Sequence, residues 1–238
     1  MARRSRWQHS CWQSTGTTSP YLLGRRNSRV FSHENADNPD KAAVWRDAER
    51  HIRYSMLRGG TNAYGLEIKQ GHLQRLSVGI PQALNFLNKI GFAKQVVLER
   101  QNYLRIVVSA TVASKTKQYH VRSGGNKANR IKNSAVQVEL DADRVIAGID
   151  VFANFYAQLK SALGQDCLWL TYEQDVLEDP TVAYHKILGF CELPPHPVTV
   201  QLDRTNPHKL PDIIINFEEI RDRLRATRYE ALLEEENQ

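Results

Sequence analysis

An arginine lies where the hydrophobic pattern of this chain changes from that of a strand to that of a helix. The apolar run in Lys94–Leu98 (KQVVL) is typical of a short buried strand, and Arg100 lies just beyond it. Hydrophobic residues then recur with helical spacing from residue 104 to residue 112. Ligands of open α/β sheets bind at this edge, where strands end and helices begin. A guanidinium at such an edge can form paired hydrogen bonds with the oxygens of an anionic ligand.

The elements that would position this arginine are predicted along the rest of the chain. Cys167–Leu170 is predicted to form a second buried strand, and Leu66–Lys69 a short one. Predicted helices cover Lys41–Leu57, Pro81–Ile90, Asp141–Leu163, Pro180–Phe190 and a last segment marked by Ile213, Phe217, Ile220 and Leu224. Strands that alternate with helices predict an α/β fold in which helices cover a parallel sheet.

Three segments in the same order resemble the sulfotransferases that use 3′-phosphoadenosine 5′-phosphosulfate. Leu98–Ser109 (LERQNYLRIVVS) resembles the family's 3′-phosphate segment, and the match is closest to the bacterial nodulation-factor and trehalose-lipid branches. Leu170–Phe190 resembles the family's strand, its Tyr-Glu turn and the helix that follows, and residues 204–227 resemble its C-terminal helix. The resemblance extends from about Thr15 to Leu233.

This resemblance implies both a fold and an activity. The fold would be P-loop NTPase-like, a three-layer α/β/α arrangement with a central, mostly parallel sheet. The chain would transfer a sulfonate group from 3′-phosphoadenosine 5′-phosphosulfate to a hydroxyl of a carbohydrate, a lipid or a small metabolite, without a metal ion. Such an enzyme must hold a highly charged nucleotide, stabilise the leaving phosphate and remove a proton from the acceptor. A nucleotide kinase is disfavoured because the sequence contains no Gly-x-x-x-x-Gly-Lys-Ser/Thr pattern.

The residues that would bind the 3′-phosphate follow from the same resemblance. Arg100 and Ser109 would bind this phosphate, and Tyr172 would lie near the nucleotide. Each residue also has a structural alternative. Ser109 would donate a hydrogen bond back to its own helix, Arg100 would pair with a surface carboxylate, and Tyr172 would fill the end of its strand.

A glycine-threonine turn near the N-terminus corresponds to the family's sulfonate-binding loop. Gly16 would permit close approach of the backbone, and Thr17 and Thr18 would offer hydroxyls and amides. Ser14 occupies the position of the family's basic residue, and Arg6–Gln13 is a poor central strand. A miscalled start or reading frame is one hypothesis for these departures. Degeneration is the other, and it leaves a non-catalytic, sulfotransferase-like nucleotide-binding protein as the alternative function.

Two segments resemble the parts of the family that supply a general base. Val30–Glu34 resembles a Ser-x-Gly-Glu segment whose glutamate is taken as the base in related bacterial enzymes. Gly65–Leu73 resembles the strand that carries a lysine and a histidine in cytosolic sulfotransferases. There Lys69 would stabilise the bridging oxygen and His72 would transfer a proton, since an imidazole titrates near neutral pH. The alternative for His72 is a structural imidazole, and we favour Glu34 as the base.

Charge and cysteine content restrict the function classes further. The net charge is +6, and residues 1–33 contain six arginines and no acidic residue, so the rest of the chain is balanced. This distribution disfavours a nucleic-acid-binding surface. No apolar run approaches the roughly 18 residues that a membrane-spanning helix needs. Three widely spaced cysteines match neither a disulfide framework nor a zinc site, which predicts reduced thiols and a cytoplasmic location.

The chain is therefore predicted to hold one domain. Residues 1–14 are an irregular basic N-terminus, residues 15–233 a single sulfotransferase-like domain, and residues 234–238 an acidic tail. Residues 35–63 and 120–140 are predicted to build the acceptor pocket. The basic segment Arg122–Asn133 either closes over the nucleotide or is a solvated loop. The sequence leaves open the identity of the acceptor and whether the protein is a homodimer.

Overall fold

A computed structural model describes residues 12–13, 41–59, 63–117, 121–122, 136–200, 202–203 and 208–234. The chain divides into two compact units. The first comprises Met1–Gln95 with His196–Thr199, and the second comprises Val96–Pro195 with Val200–Gln238. Among the described helices, none is long and apolar enough to cross a membrane.

The described part of the first unit is mostly helical. Its elements are β1 (Trp12–Gln13), which pairs with β5 (Thr199–Val200), and the helices α1 (Lys41–Gly59), α2 (Gln70–Leu76) and α3 (Ile80–Lys89). Val44, Ala48 and Ile52 recur every four residues along α1 and are buried, as expected for the apolar face of an amphipathic helix. The ring centres of Trp45 and Phe86 lie 4.5 Å apart and join α1 to α3.

The predictions for this unit are confirmed for the helices and wrong for the strand. Pro81 lies in the first turn of α3, and Gly91 follows this helix with a φ of 98°, which favours glycine. The predicted strand Leu66–Lys69 is not a strand. Lys69 does have an extended backbone, but it is the N-cap of α2. The segment Leu66–Lys69 therefore has the sequence pattern of a strand, although a helix begins at the residue that follows it.

The second unit alternates strands and helices. In chain order its elements are β2 (Gln95–Glu99), α4 (Tyr103–Thr116), β3 (Val121–Arg122), α5 (Ala142–Leu163), β4 (Cys167–Thr171), α6 (Tyr172–Asp175), α7 (Pro180–Phe190), β6 (Leu202–Asp203), α8 (Leu210–Ile213), α9 (Phe217–Arg225) and a final 3₁₀ helix (Glu230–Leu233). Strands β2 and β4 form one two-stranded sheet, and β3 pairs with β6 antiparallel in another. The predicted strands at 94–98 and 167–170 are each confirmed to within one residue.

The pairing of β2 with β4 sets the edge at which Arg100 lies. The backbone amides that follow β2 are hydrogen-bonded by a side chain that follows β4. The carboxyl ends of both strands therefore meet at the same edge, as they do in a parallel pair. This mixed helix and strand structure, with its small parallel sheet, is compatible with the predicted α/β class.

Helices α4 and α5 form the centre of the main hydrophobic core. The core includes Leu104, Val108 and Val112 from α4, and it extends to buried residues of α5, α8 and α9. Gly148 of α5 permits close contact with α4, because a β-carbon there would lie 3.0 Å from a methyl group of Val107. The core thus fixes α4 against α5, and with it the direction in which α4 leaves the sheet.

The predicted last helix is interrupted. Helix α8 ends at Ile213 and α9 begins at Phe217. Between them Ile214 has an extended backbone. On either side of it, the Val138 amide donates to the Ile213 carbonyl and the Ile215 amide donates to the Val138 carbonyl. Asn216 side-chain atoms hydrogen-bond both backbone groups of Leu140. Pairing with a distant segment therefore breaks the helical pattern of this region.

Candidate functional site

Two residues at the carboxyl ends of β2 and β4 contact each other. The guanidinium carbon of Arg100 lies 4.7 Å from the centre of the Tyr172 ring. Arg100 directly follows β2, and Tyr172 directly follows β4 and begins α6. A guanidinium over an aromatic face gains electrostatic attraction and loses freedom of movement. The structure therefore brings together two of the residues that the sequence assigned to the nucleotide.

The turn between β2 and α4 is held by the carboxylate of Glu173, a residue that follows β4. Glu173 accepts hydrogen bonds from the backbone amides of Gln101 at 3.0 Å and Asn102 at 3.1 Å, one on each carboxylate oxygen. Asn102 is buried, at 7% exposure, and is the N-cap of α4. Its side chain accepts from the Arg105 amide and donates to the Leu232 carbonyl. The backbone around Arg100 is thus fixed from two directions.

A second carboxylate at this edge is occupied by aromatic donors. Glu99 accepts from the hydroxyl of Tyr103 and, at 2.9 Å, from the indole nitrogen of Trp169. The Tyr156 hydroxyl donates to the Leu98 carbonyl at 3.2 Å. Burial and the nearby negative charge raise the pKa of Tyr156 to about 12. Burial and the hydrogen bond with Glu99 raise the pKa of Tyr103 as well, so both phenols stay protonated at neutral pH.

Ser109 lies further along α4 than the Arg100 turn. It is six residues after Tyr103, the first residue of α4, which corresponds to about 9 Å along the helix axis. The hydroxyls of Thr111 and Thr116 donate back to carbonyls four residues earlier, whereas Ser109 makes no such bond within the described part of the chain. Its predicted structural role in the helix is therefore not observed. Equally, no hydrogen bond between Ser109 and Arg100 occurs among the described residues.

Lys69 and His72 lie in the first unit, at the start of α2. The backbone amide of Lys69 donates to the Nδ1 of His72 at 3.1 Å, and the His72 amide donates to the Lys69 carbonyl at 2.9 Å. The Nζ of Lys69 lies 3.6 Å from a carboxylate oxygen of Glu67. An imidazole that accepts at Nδ1 in its neutral form carries its proton on Nε2. His72 therefore contributes to the start of a helix.

Four of the predicted site residues lie outside the described residues. These are Gly16, Thr17 and Thr18 of the sulfonate-binding loop and Glu34, the favoured base. Of the basic segment Arg122–Asn133, only Arg122 is described, and it pairs with Leu202 in the antiparallel sheet.

Two residues of the site were not singled out from the sequence. Asn102 precedes a helical pattern and is of a type preferred at N-caps, so its role was predictable from local sequence. Glu173 follows Tyr172 in the Tyr-Glu turn, but its hydrogen-bond partners lie about 70 residues earlier. Its contact depends on the pairing of β2 with β4, which local sequence does not specify.

Metal ligands and known relatives give no independent indication of function. Across the residues that the structure describes, no group of three or more His, Cys, Asp or Glu side chains could hold a metal ion. Comparison with protein-family models, curated proteins and solved structures finds no match to this chain. The assignment of a function therefore depends on the resemblance of the motifs and on the geometry around Arg100.

Proposed function

We propose that this chain is a sulfotransferase that moves a sulfonate group from 3′-phosphoadenosine 5′-phosphosulfate to a hydroxyl of a carbohydrate, a lipid or a small metabolite. The observation that carries the proposal is the position of Arg100 at the carboxyl end of β2, over the ring of Tyr172. We extend the proposal to a P-loop NTPase-like three-layer fold and to a cytoplasmic location.

The charges around Arg100 suit a phosphate ligand. Glu173, Glu99 and Asp175 contact this sheet edge, and all three carboxylates accept hydrogen bonds from protein donors. Their negative charge is therefore partly compensated before a ligand arrives. The N–H groups of the planar Arg100 guanidinium lie in one plane, so two of them can donate hydrogen bonds together to two phosphate oxygens. Ser109 would add a hydroxyl to the 3′-phosphate once the nucleotide is bound.

The proposed reaction is an in-line displacement at sulfur. The acceptor oxygen forms a bond to sulfur while the bond between sulfur and the phosphate oxygen breaks, and a base removes the proton of the hydroxyl. 3′-Phosphoadenosine 5′-phosphate is released as the leaving group. We propose Glu34 as the base. His72 is the second candidate, but in the tautomer set by Lys69 its Nε2 carries a proton and cannot accept another.

The alternative is a relative that binds the nucleotide without transferring sulfonate. Two observations favour it: Lys69 and His72 have structural roles at the start of α2, and Ser14 replaces the basic residue of the sulfonate-binding loop. Measurement of transfer separates the two functions, because both require binding of 3′-phosphoadenosine 5′-phosphate and only the enzyme passes labelled sulfonate to an acceptor.

The first test is the melting temperature in the presence of 3′-phosphoadenosine 5′-phosphate. The nucleotide should raise the melting temperature as its concentration increases, since it binds the folded state. Arg100→Ala should abolish this shift. Arg223→Ala is the matched control, because Arg223 pairs with Asp143 at an exposed site, and it should keep the shift. A wild-type protein that shows no shift would contradict both nucleotide-binding functions.

A further inference from the structure

The contact between the ends of β2 and β4 involves consecutive residues on both sides. Tyr172 and Glu173 follow β4, and Arg100, Gln101 and Asn102 follow β2. The ring of Tyr172 faces the guanidinium of Arg100, while the carboxylate of Glu173 accepts from the next two amides. One pair of residues therefore contacts both the side chain of Arg100 and the backbone that carries it.

Glu173 binds two backbone amides where the chain enters α4: the amide of Gln101, which precedes the helix, and the amide of Asn102, its N-cap. Helix α4 begins at Tyr103, so Gln101 and Asn102 belong to the connection before it. The N-terminal cap is supplied by Asn102, whose side chain accepts from the Arg105 amide at 3.0 Å. Glu173 thus satisfies two donors of the turn itself. Because the acceptor is a carboxylate, these hydrogen bonds are charge-assisted, and the two together hold the turn to the end of β4.

Fixing this turn fixes the starting point of a long side chain. The Cα of Arg100 is one residue from the first amide that Glu173 holds. A long arginine side chain loses rotamer entropy when it is ordered. If the backbone position and the stacking ring are both set in advance, less of that entropy remains to be lost when a phosphate binds.

We propose that Glu173 is a positioning residue for the phosphate-binding site, which holds the Arg100 turn so that the guanidinium lies over Tyr172. The role of Glu173 in nucleotide affinity rests on the proposed function. Its role in the placement of Arg100 does not depend on the ligand, and the two are measured separately.

The experiment compares Glu173→Gln with Asp141→Asn. The glutamine keeps the size of the side chain but leaves one oxygen to accept where two did. Asp141 is the matched control, because its carboxylate accepts from the Arg144 amide and caps a different helix, α5. Both variants should lower the melting temperature, and both are measured at a temperature at which they are fully folded.

Two readouts are taken. The first is the NMR signal of the Arg100 side chain without nucleotide, assigned with Arg100→Lys; stacking on Tyr172 shifts it, and Glu173→Gln should return it toward the value of an exposed arginine. The second is calorimetry with 3′-phosphoadenosine 5′-phosphate, in which Glu173→Gln should weaken binding by about tenfold and Asp141→Asn should leave it unchanged.

Each outcome is informative. A lost NMR shift together with weaker binding supports the inference. If the shift is lost in Glu173→Gln and the wild-type protein binds no nucleotide, the proposed function is refuted and the placement of Arg100 by Glu173 is still supported. An Arg100 signal that is unchanged in Glu173→Gln overturns the inference, whatever the affinity. If Glu173→Gln does not fold, Glu173→Asp, which keeps the charge but withdraws the oxygens, is judged by the same criteria.

Discussion

The guanidinium of Arg100 and the ring of Tyr172 lie 4.7 Å apart although 72 positions separate them in the sequence. The two residues meet because the strands that precede them are neighbours and end at the same edge. A cationic fork at this edge of an α/β sheet is a position from which phosphate groups are commonly bound. The contact therefore connects the local pattern around Arg100 with a proposed ligand.

Replacing Tyr172 by leucine should weaken nucleotide binding modestly. The ring restricts the guanidinium of Arg100, and cation–π contacts at exposed sites contribute about 0.5–1 kcal/mol, so we expect the affinity for 3′-phosphoadenosine 5′-phosphate to fall about two- to fivefold. Calorimetry measures it. The control is Tyr54→Leu, since Arg58 lies over that ring at 5.9 Å in α1. A larger loss for Tyr54→Leu than for Tyr172→Leu would contradict the assignment.

Glu34→Ala should abolish most of the transfer and preserve binding of the nucleotide. A general base contributes about 10²- to 10⁴-fold to the rate, and the proposal assigns that task to Glu34. Transfer of labelled sulfonate and calorimetry are measured on the same preparation. His72→Ala is compared with it, because His72 is the second candidate. If the large rate loss follows His72→Ala instead, Glu34 is not the base.

The features that the sequence predicted are those that depend on short stretches of chain. The strand before Arg100 and the start of the helix after it were each predicted to within one residue, because an apolar run and a 3.6-residue period are local patterns. The strand predicted at Leu66–Lys69 was wrong, since the extended backbone of Lys69 belongs to a helix N-cap.

Features that depend on distant partners could not be predicted. The break before Phe217 arises from hydrogen bonds to Val138, which lies more than 70 residues earlier. The hydrogen bonds of Glu173 to the Arg100 turn have a similar sequence separation. The pairing of strands creates both contacts, and no pattern of neighbouring residues indicates which strands pair.

Lys186→Met should destabilise the second unit and change its response to acid. Asp175 is buried, and its carboxylate accepts from Lys186 at 2.5 Å and from the Thr171 amide at 2.7 Å. Burial alone would raise the pKa of Asp175, but these two hydrogen bonds and the charge of Lys186 lower it below its usual value of 3.8. Loss of Lys186 should therefore reduce the free energy of unfolding at neutral pH by about 1–2 kcal/mol, because the ammonium is half exposed and screened.

The pH dependence of this effect has a defined sign. A carboxylate whose pKa is lowered by folding contributes stability above its unfolded pKa and loses that contribution as the pH falls through the folded pKa. The difference between wild type and Lys186→Met should therefore shrink below about pH 4. Urea unfolding at several pH values measures it. Arg223→Met, which removes an exposed ion pair with Asp143, is the control and should cost less than about 1 kcal/mol.

Tyr156→Phe should make the free energy of unfolding less sensitive to high pH. Burial, and then the charges of Glu99 and Glu173, raise the pKa of Tyr156 from 10.0 to about 12. A phenol with a raised pKa contributes stability below its unfolded pKa, and that contribution is lost as the pH rises through the folded pKa. Wild type should thus lose stability between pH 10 and about 12, and Tyr156→Phe should lose less over the same range.

The phenylalanine also removes the hydrogen bond to the Leu98 carbonyl, which should cost about 0.5–1.5 kcal/mol at neutral pH. Ultraviolet titration of phenolate formation, with unfolding measured in parallel, tests both effects. Tyr103, whose pKa is also raised, should still titrate at high pH in this variant. If Tyr156→Phe does not reduce the absorbance step near pH 12, the phenol that titrates there is not Tyr156, and the assigned electrostatic environment of Tyr156 is wrong.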